Sequence, residues 1–243
     1  MIQTLFAPYG DLADTLKHFL PSEGDGAHDI SHLHRVWRNA QAIQEEEGGD
    51  LELLVASVLL HDCVQVLKDS SLRSKAARLA ADKAAMALAE LGWPEMRIGT
   101  VTAAIESHSY SAGLTPQSLE GRILQDADRL DAIGYVGIAR CFYTSGRMNS
   151  SLYDMTEPQA VTRALNDRRF ALDHFPSKLF KLTDGFQTET GARMARERHK
   201  ALEDFYQGFL REVKSSERCS VDVDDDASAN SSAQNVLRRI QSL

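Results

Sequence analysis

From Leu51 to Leu67 the chain is apolar on almost every side, LELLVASVLLHDCVQVL, yet it holds a His-Asp pair. A helix of that composition has to be packed from several directions, so other elements must surround it. The rest of the sequence supplies them as helices. Apolar residues recur at intervals of three and four, alternating β-branched runs are nearly absent, and there are only six prolines in 243 residues. The expected class is therefore all-α. Helices are expected over residues 11–20, 31–47, 51–67, 72–91, 94–107, 119–142 and 188–213, with 144–185 irregular. In the second of these, Leu33, Val36, Trp37, Ala40 and Ile43 form the apolar stripe, and Gly48-Gly49 ends it. Pro94 is expected just inside the first turn of its helix. Residues 1–214 read as one domain. Residues 215–243 are acidic and Ser-rich, and are expected to be a disordered tail.

Composition excludes several function classes. The formal net charge is -8, so bulk charge gives no support for binding long nucleic acid or an anionic membrane. No stretch approaches the roughly 18 apolar residues of a membrane span. The first twenty residues carry acids and a Pro-Tyr-Gly break, unlike a signal peptide. The three cysteines, Cys63, Cys141 and Cys219, are far apart and odd in number. They build neither a disulfide framework nor a CxxC site, and a reducing, cytoplasmic location is expected.

His61-Asp62 is the pair with chemical content. Charge inside a packed helix is costly unless it is paired or binds a metal. Neutral histidine nitrogen and carboxylate oxygen are both ligands for divalent metals. The dipeptide alone is equally explained by a packed ion pair or by a helix end facing water. Two other segments bear on that choice: HDISHLHRVWRNA upstream and ILQDADRLDAIGYVGIAR downstream. Each puts metal-competent side chains on a different helix, which is how helical bundles gather ligands. Rotation along the upstream helix places His32 roughly 75° and His34 roughly 125° from the stripe centre at Val36. His32 then borders the buried face, and His34 is expected in solvent. His28, one turn earlier, either faces the same side or lies in water. In QDADRLDAIG, rotation puts Asp131 on the apolar face, Asp128 at its flank and Asp126 opposite, in solvent.

Taken in order, H…HD…D resembles the HD-domain metal-dependent phosphohydrolases. The phrases HxxRVWRNA, LLHD, IESHS and QDADRLDAIGxxGIAR are similar to one bacterial, nucleotide-pyrophosphohydrolase-like branch, from His28 to about residue 205. The resemblance implies an HD-domain helical bundle with a metal site between central helices, its ligands His32, His61, Asp62 and Asp128. It thus selects Asp128 where rotation favours Asp131, leaving Asp131 to orient a ligand histidine. Two nitrogens and two carboxylates would leave an octahedral ion two positions for water or substrate oxygen. Family analogy puts Mn²⁺ first, with Mg²⁺, Co²⁺, Ni²⁺ and Zn²⁺ open.

The expected reaction is attack of a metal-activated water, with Asp62 both holding the ion and standing beside that water. His108 either protonates the leaving group or contacts phosphate, unless it merely caps its helix. Arg35, Lys68, Arg73 and Arg129 are candidate phosphate contacts, against the alternative of solvated helix faces. His174 and Lys178, in HFPSKLFKL, resemble a segment that closes over the site. Cys63, Trp37 and Trp93 read as packing residues. The implied substrate is a small phosphorylated metabolite, first of all a nucleoside di- or triphosphate, with pyrophosphate a possible product. A non-catalytic nucleotide-binding module is the alternative outside enzymology. A dinuclear HD phosphodiesterase is the other, but it needs more histidines between residues 62 and 128 than His108 alone. A homo-oligomer is left open.

Overall fold

The computed structural model describes residues 1–21, 29–64, 66, 73–109 and 113–215. The chain divides into two compact units, Met1–Phe205 and Tyr206–Leu243. The first carries everything that follows. The described part of the second is the end of the last helix. Residues 216–243, which contain nearly all of the expected tail, lie outside the described residues, as do His28 and Lys68 and the side chain of Arg73.

The described residues are all-α. The helices are α1 (Ile2–Leu5), α2 (Gly10–Leu16), α3 (Ile30–Glu47), α4 (Leu51–Leu60), α5 (Ala76–Glu90), α6 (Glu95–Ser107), α7 (Leu119–Asp131), α8 (Gly134–Arg147), α9 (His174–Ser177) and α10 (Glu189–Ser215). Short 3-10 turns add Lys17–Phe19, Arg73–Lys75, Ala171–Asp173 and Leu179–Thr183. One isolated bridge pairs Ser151 with Phe170. No described helix is long and apolar enough to cross a membrane.

α4 is the central element, packed against α3, α6 and α7, while α5 covers α6. Every residue from Leu53 to Leu60 is buried, as its all-round apolarity requires. Trp37, Leu54, Leu59, Leu60, Ile105, Ile123 and Leu124 are fully buried, each worth about 1.5–3 kcal/mol of burial for a large apolar side chain. Side-chain caps fix where the core helices begin. Asp29 accepts from the backbone N–H of Ser31 and His32, Asp50 from those of Glu52 and Leu53, and Ser118 from that of Gly121. Each such cap contributes about 1 kcal/mol and sets the register of the residues behind it.

Four expectations need correction. The helix expected over 119–142 is two helices. Gly134 takes a φ of +71°, a left-handed conformation that breaks the path after Asp131. Pro94 is the N-cap of α6 and not a first-turn residue. The 144–185 stretch is not wholly irregular, since α8 runs to Arg147 and three short helical pieces follow. It is organised by a buried carboxylate: Asp173 accepts from Arg163 Nη1 and Nη2 at 2.5 and 2.7 Å and from the Asn166 N–H at 2.7 Å. Finally, α4 stops at Leu60 instead of running to Leu67.

Candidate metal centre

The early stop of α4 positions the central pair. His61 is the C-cap residue, and its Nδ1–H donates to the Val58 carbonyl at 2.7 Å. The ring thereby satisfies one of the carbonyls left over at the end of the helix. The Cys63 N–H closes the turn on the Leu60 carbonyl. His61 and Asp62 therefore sit at a helix end and not inside a helix. His108 repeats the arrangement at the end of α6, with Nδ1–H donating to the Ile105 carbonyl at 2.6 Å. His32 enters from the first turn of α3, held by the Asp29 cap. Asp128 and Asp131 come from the last turn of α7.

These residues converge. His32 Nε2 lies 3.5 Å from Asp128 Oδ1 and 3.9 Å from Asp62 Oδ2. His61 Nε2 lies 3.5 Å from Asp62 Oδ2 and 3.8 Å from Asp128 Oδ1. Ligand atoms of His32, His61 and Asp128 all fall within 4.8 Å of one another, as do those of His61, Asp62 and His108. Ligands at about 2.1 Å from an octahedral ion are about 3 Å apart when cis and about 4.2 Å when trans. The separations here fall between those values. His61 Nε2 is buried with no hydrogen-bond partner. An orphaned lone pair at that depth is costly in protein alone, and a cation removes the cost. The donor set therefore fits a divalent ion.

Electrostatics agree. Burial opposes a charge on His61, but the carboxylates of Asp62 and Asp128 hold its pKa above the ordinary histidine value. Burial, and then His61 beside it, push His108 below that value. Asp131 lies on the other side of His32. Its Oδ2 is 2.8 Å from His32 Nδ1, and it also accepts from Arg35 Nε at 2.6 Å and Arg140 Nη1 at 2.6 Å. Burial raises the Asp131 pKa, but the bonds from His32 and Arg35 prevail and hold it at about 2.

Several expected roles change. Arg35 spends its fork on Asp131 and its remaining Nη1 on Ser31 Oγ at 2.9 Å. The described bonds thus make it a holder of Asp131. Arg129 is buried and donates to the carbonyls of Leu182, Gly185 and Asp184, with Phe186 under its guanidinium. It pins the backbone before α10. Asp126 is not in solvent. It is fully buried and accepts from the Gln187 and Thr188 N–H groups and the Thr188 hydroxyl. Its short side chain thus anchors the start of α10, which rotation on α7 alone could not reveal. His34 is half-buried, its ring edge-on to Phe6. His174 bonds Asp167 Oδ2 at 3.0 Å, and Lys178 is exposed at the end of α9. Cys63 is buried, its thiol directed at the Ala80 carbonyl and its pKa pushed up by burial to about 11. Trp37 is core, and Trp93 packs beneath the Arg97 guanidinium. Arg140 was missed. It stands nine residues after Asp131 in GIAR, with no periodicity to mark it.

Comparison with known proteins places this geometry. The HD-domain family pattern matches residues 29–133. An uncharacterised protein of Bacillus subtilis, YpgQ, is 31% identical over 202 residues, covering 82% of this chain and 90% of that protein. The crystal structure of Bacillus subtilis YpgQ in complex with ADP gives a TM-score of 0.63 at 31% identity, covering 82% of this chain and 96% of that one. A HD-superfamily hydrolase from Bacillus thuringiensis gives 0.63 at 32% identity, covering 87% and 95%. A helical bundle, a His–Asp cluster suited to a divalent ion, and likeness along most of both chains have one common explanation: this chain belongs to the HD-domain superfamily and is a metal-dependent phosphohydrolase.

Proposed function

We propose that the enzyme hydrolyses a phosphoanhydride bond of a nucleoside di- or triphosphate, with pyrophosphate release from a triphosphate as the first reaction to test. The cation is held by His32, His61, Asp62 and Asp128, and Mn²⁺ is placed ahead of Mg²⁺, Co²⁺, Ni²⁺ and Zn²⁺. The observation that carries this reading is the buried, unpartnered His61 Nε2 facing the carboxylates of Asp62 and Asp128. The nucleotide class is supported by the ADP bound to the Bacillus subtilis relative.

When bound, the cation polarises a phosphoryl oxygen and lowers the pKa of a coordinated water. The chain's own residues do the rest. Asp131 fixes the tautomer of His32 and makes its Nε2 a better donor. Asp62 is half-exposed and turns one oxygen to the histidine pair and the other to His108. It can hold the cation and also accept from a water beside it. His108 is less suited to the acid role expected for it. Its Nδ1 faces a carbonyl, which only accepts, so Nδ1 keeps the proton and the neutral ring has none to give at Nε2. Lys178 and His174 are retained as substrate contacts of the segment around α9. A catalytic domain spanning residues 1–214 and a cytoplasmic location complete the reading.

The test is a release assay across nucleotides and sugar phosphates with each divalent metal, separating phosphate from pyrophosphate. Metal-dependent release from nucleotides is the expected result. Metal-bound protein that binds nucleotides without turnover would favour a binding module instead.

A further inference from the structure

Tyr135, Ala139 and Tyr143 follow one another at four-residue steps along α8, as do Val136 and Arg140. That spacing puts them on one face of the helix. Together with Arg35 from α3 they line a cavity of about 400 Å³, within the roughly 300–1,000 Å³ of small-molecule pockets. None of these residues is a ligand in the metal centre described above. Asp131 links the two places, bonded at once to His32, Arg35 and Arg140.

The cavity has a ring for one end of a ligand and positive charge for the other. Tyr135 is 77% exposed in the first turn of α8, an aromatic face left in water. A planar base stacks on such a ring whatever the base's identity. Arg35 has five N–H groups, and its three described bonds use one each on Nε, Nη1 and Nη2. Two N–H groups remain on a guanidinium that is partly open to solvent, enough to hold an anion by charge-assisted bonds. Arg140 brings a second guanidinium to the same wall. The eight residues from Tyr135 to Tyr143 rise about 12 Å, room for a base, a sugar and one phosphate laid along the helix.

We propose that this trough on α8 is an effector site for a nucleoside monophosphate, its base on Tyr135 and its phosphate on Arg35 and Arg140, and that filling it tightens the cation at the metal centre. A phosphate on Arg35 draws that guanidinium away from Asp131. The carboxylate then leans more on His32, whose Nε2 becomes a better donor. By linkage the cation tightens the nucleotide equally. The choice of nucleotide rests on the reaction proposed above, which releases a nucleoside monophosphate together with pyrophosphate.

The test is calorimetric titration of AMP into the full chain, first stripped of metal with EDTA and then loaded with Mn²⁺. One AMP per chain is expected without metal, and Mn²⁺ affinity should rise about five-fold or more at saturating AMP. Tyr135→Ala removes the stacking ring, and Ala139→Leu fills the trough from an exposed position. Each should weaken AMP binding about ten-fold or more and erase its effect on Mn²⁺, while Mn²⁺ affinity without AMP stays as in the wild type. Tyr135→Phe keeps the ring and should bind AMP as the wild type does. AMP that binds only when Mn²⁺ is present, or equally well in Tyr135→Ala and Ala139→Leu, is held elsewhere and overturns the proposal. AMP that binds in the trough and leaves Mn²⁺ affinity unchanged overturns the effector role. None of these readouts uses turnover. Nucleotide hydrolysis by a chain that binds no AMP without metal would sink the trough and keep the proposed reaction; AMP binding in the trough of a chain that hydrolyses no nucleotide would do the reverse.

Discussion

His32 Nδ1 lies 2.8 Å from Asp131 Oδ2, although the two residues are 99 positions apart in the chain. The same carboxylate takes Arg35 Nε and Arg140 Nη1, each at 2.6 Å. One buried acid thus balances three donors, and its bond to His32 decides which ring nitrogen faces Asp62 and Asp128. The tautomer of His32, a proposed ligand, is set here by a residue that would never touch the ion.

Replacing that acid should therefore weaken metal binding without removing it. Asp131→Asn is expected to lower divalent-metal affinity by about 10- to 100-fold, with turnover recovering in part at high metal concentration. Calorimetric titration of Mn²⁺ into the variant and the wild type measures this. An unchanged affinity would mean that Asp131 only balances the arginines.

Acid should expose the same residue. The Asp131 pKa is about 2 in the folded chain, below the ordinary aspartate value near 4. A depressed folded pKa contributes stability that is complete above the unfolded pKa and is lost as pH falls through the folded one. The contribution is on the order of 2 kcal/mol and disappears between about pH 4 and pH 2. Urea unfolding across that window should show a steeper decline in the wild type than in Asp131→Asn. Parallel declines would contradict the assignment.

Asp62→Ala should abolish turnover, with a loss beyond the about 100-fold typical of outer partners, since it removes a ligand and the acceptor beside the water. EDTA should do the same reversibly, with activity restored by a divalent metal. Lys178→Ala should raise KM and leave kcat nearly unchanged, as loss of uniform phosphate binding does. Steady-state kinetics separates the two patterns. Wild-type rates in Asp62→Ala, or turnover in metal-free protein, would refute the mechanism.

Gly191 tests the fold apart from the site. A Cβ there would lie 2.6 Å from Asp126 Oδ2 and 2.7 Å from Thr188 Oγ1. Gly191→Ala should destabilise the protein by roughly 1–3 kcal/mol, the usual cost of overpacking, while Mn²⁺ affinity stays as in the wild type. Thermal unfolding with a parallel metal titration distinguishes this from damage at the cluster.

Local pattern was enough for the all-α class and for the burial of Leu53–Leu60, because period and polarity act over a few residues. Rotation on one helix also put Asp131 on the buried face, where it lies. The same rotation sent Asp126 to solvent. That failed because a helix has no record of its neighbours: the face opposite the core of α7 meets the chain at Gln187 and Thr188, sixty residues on. At the end of α4 the His61 ring bonds the Val58 carbonyl, a contact that helix propensity does not record. Which oxygen of Asp62 faces which histidine, and whether Arg35 and Arg129 are spent on a carboxylate and on carbonyls, depend on distances between segments far apart in sequence. Those distances exist only once burial has drawn α3, α4, α6 and α7 together.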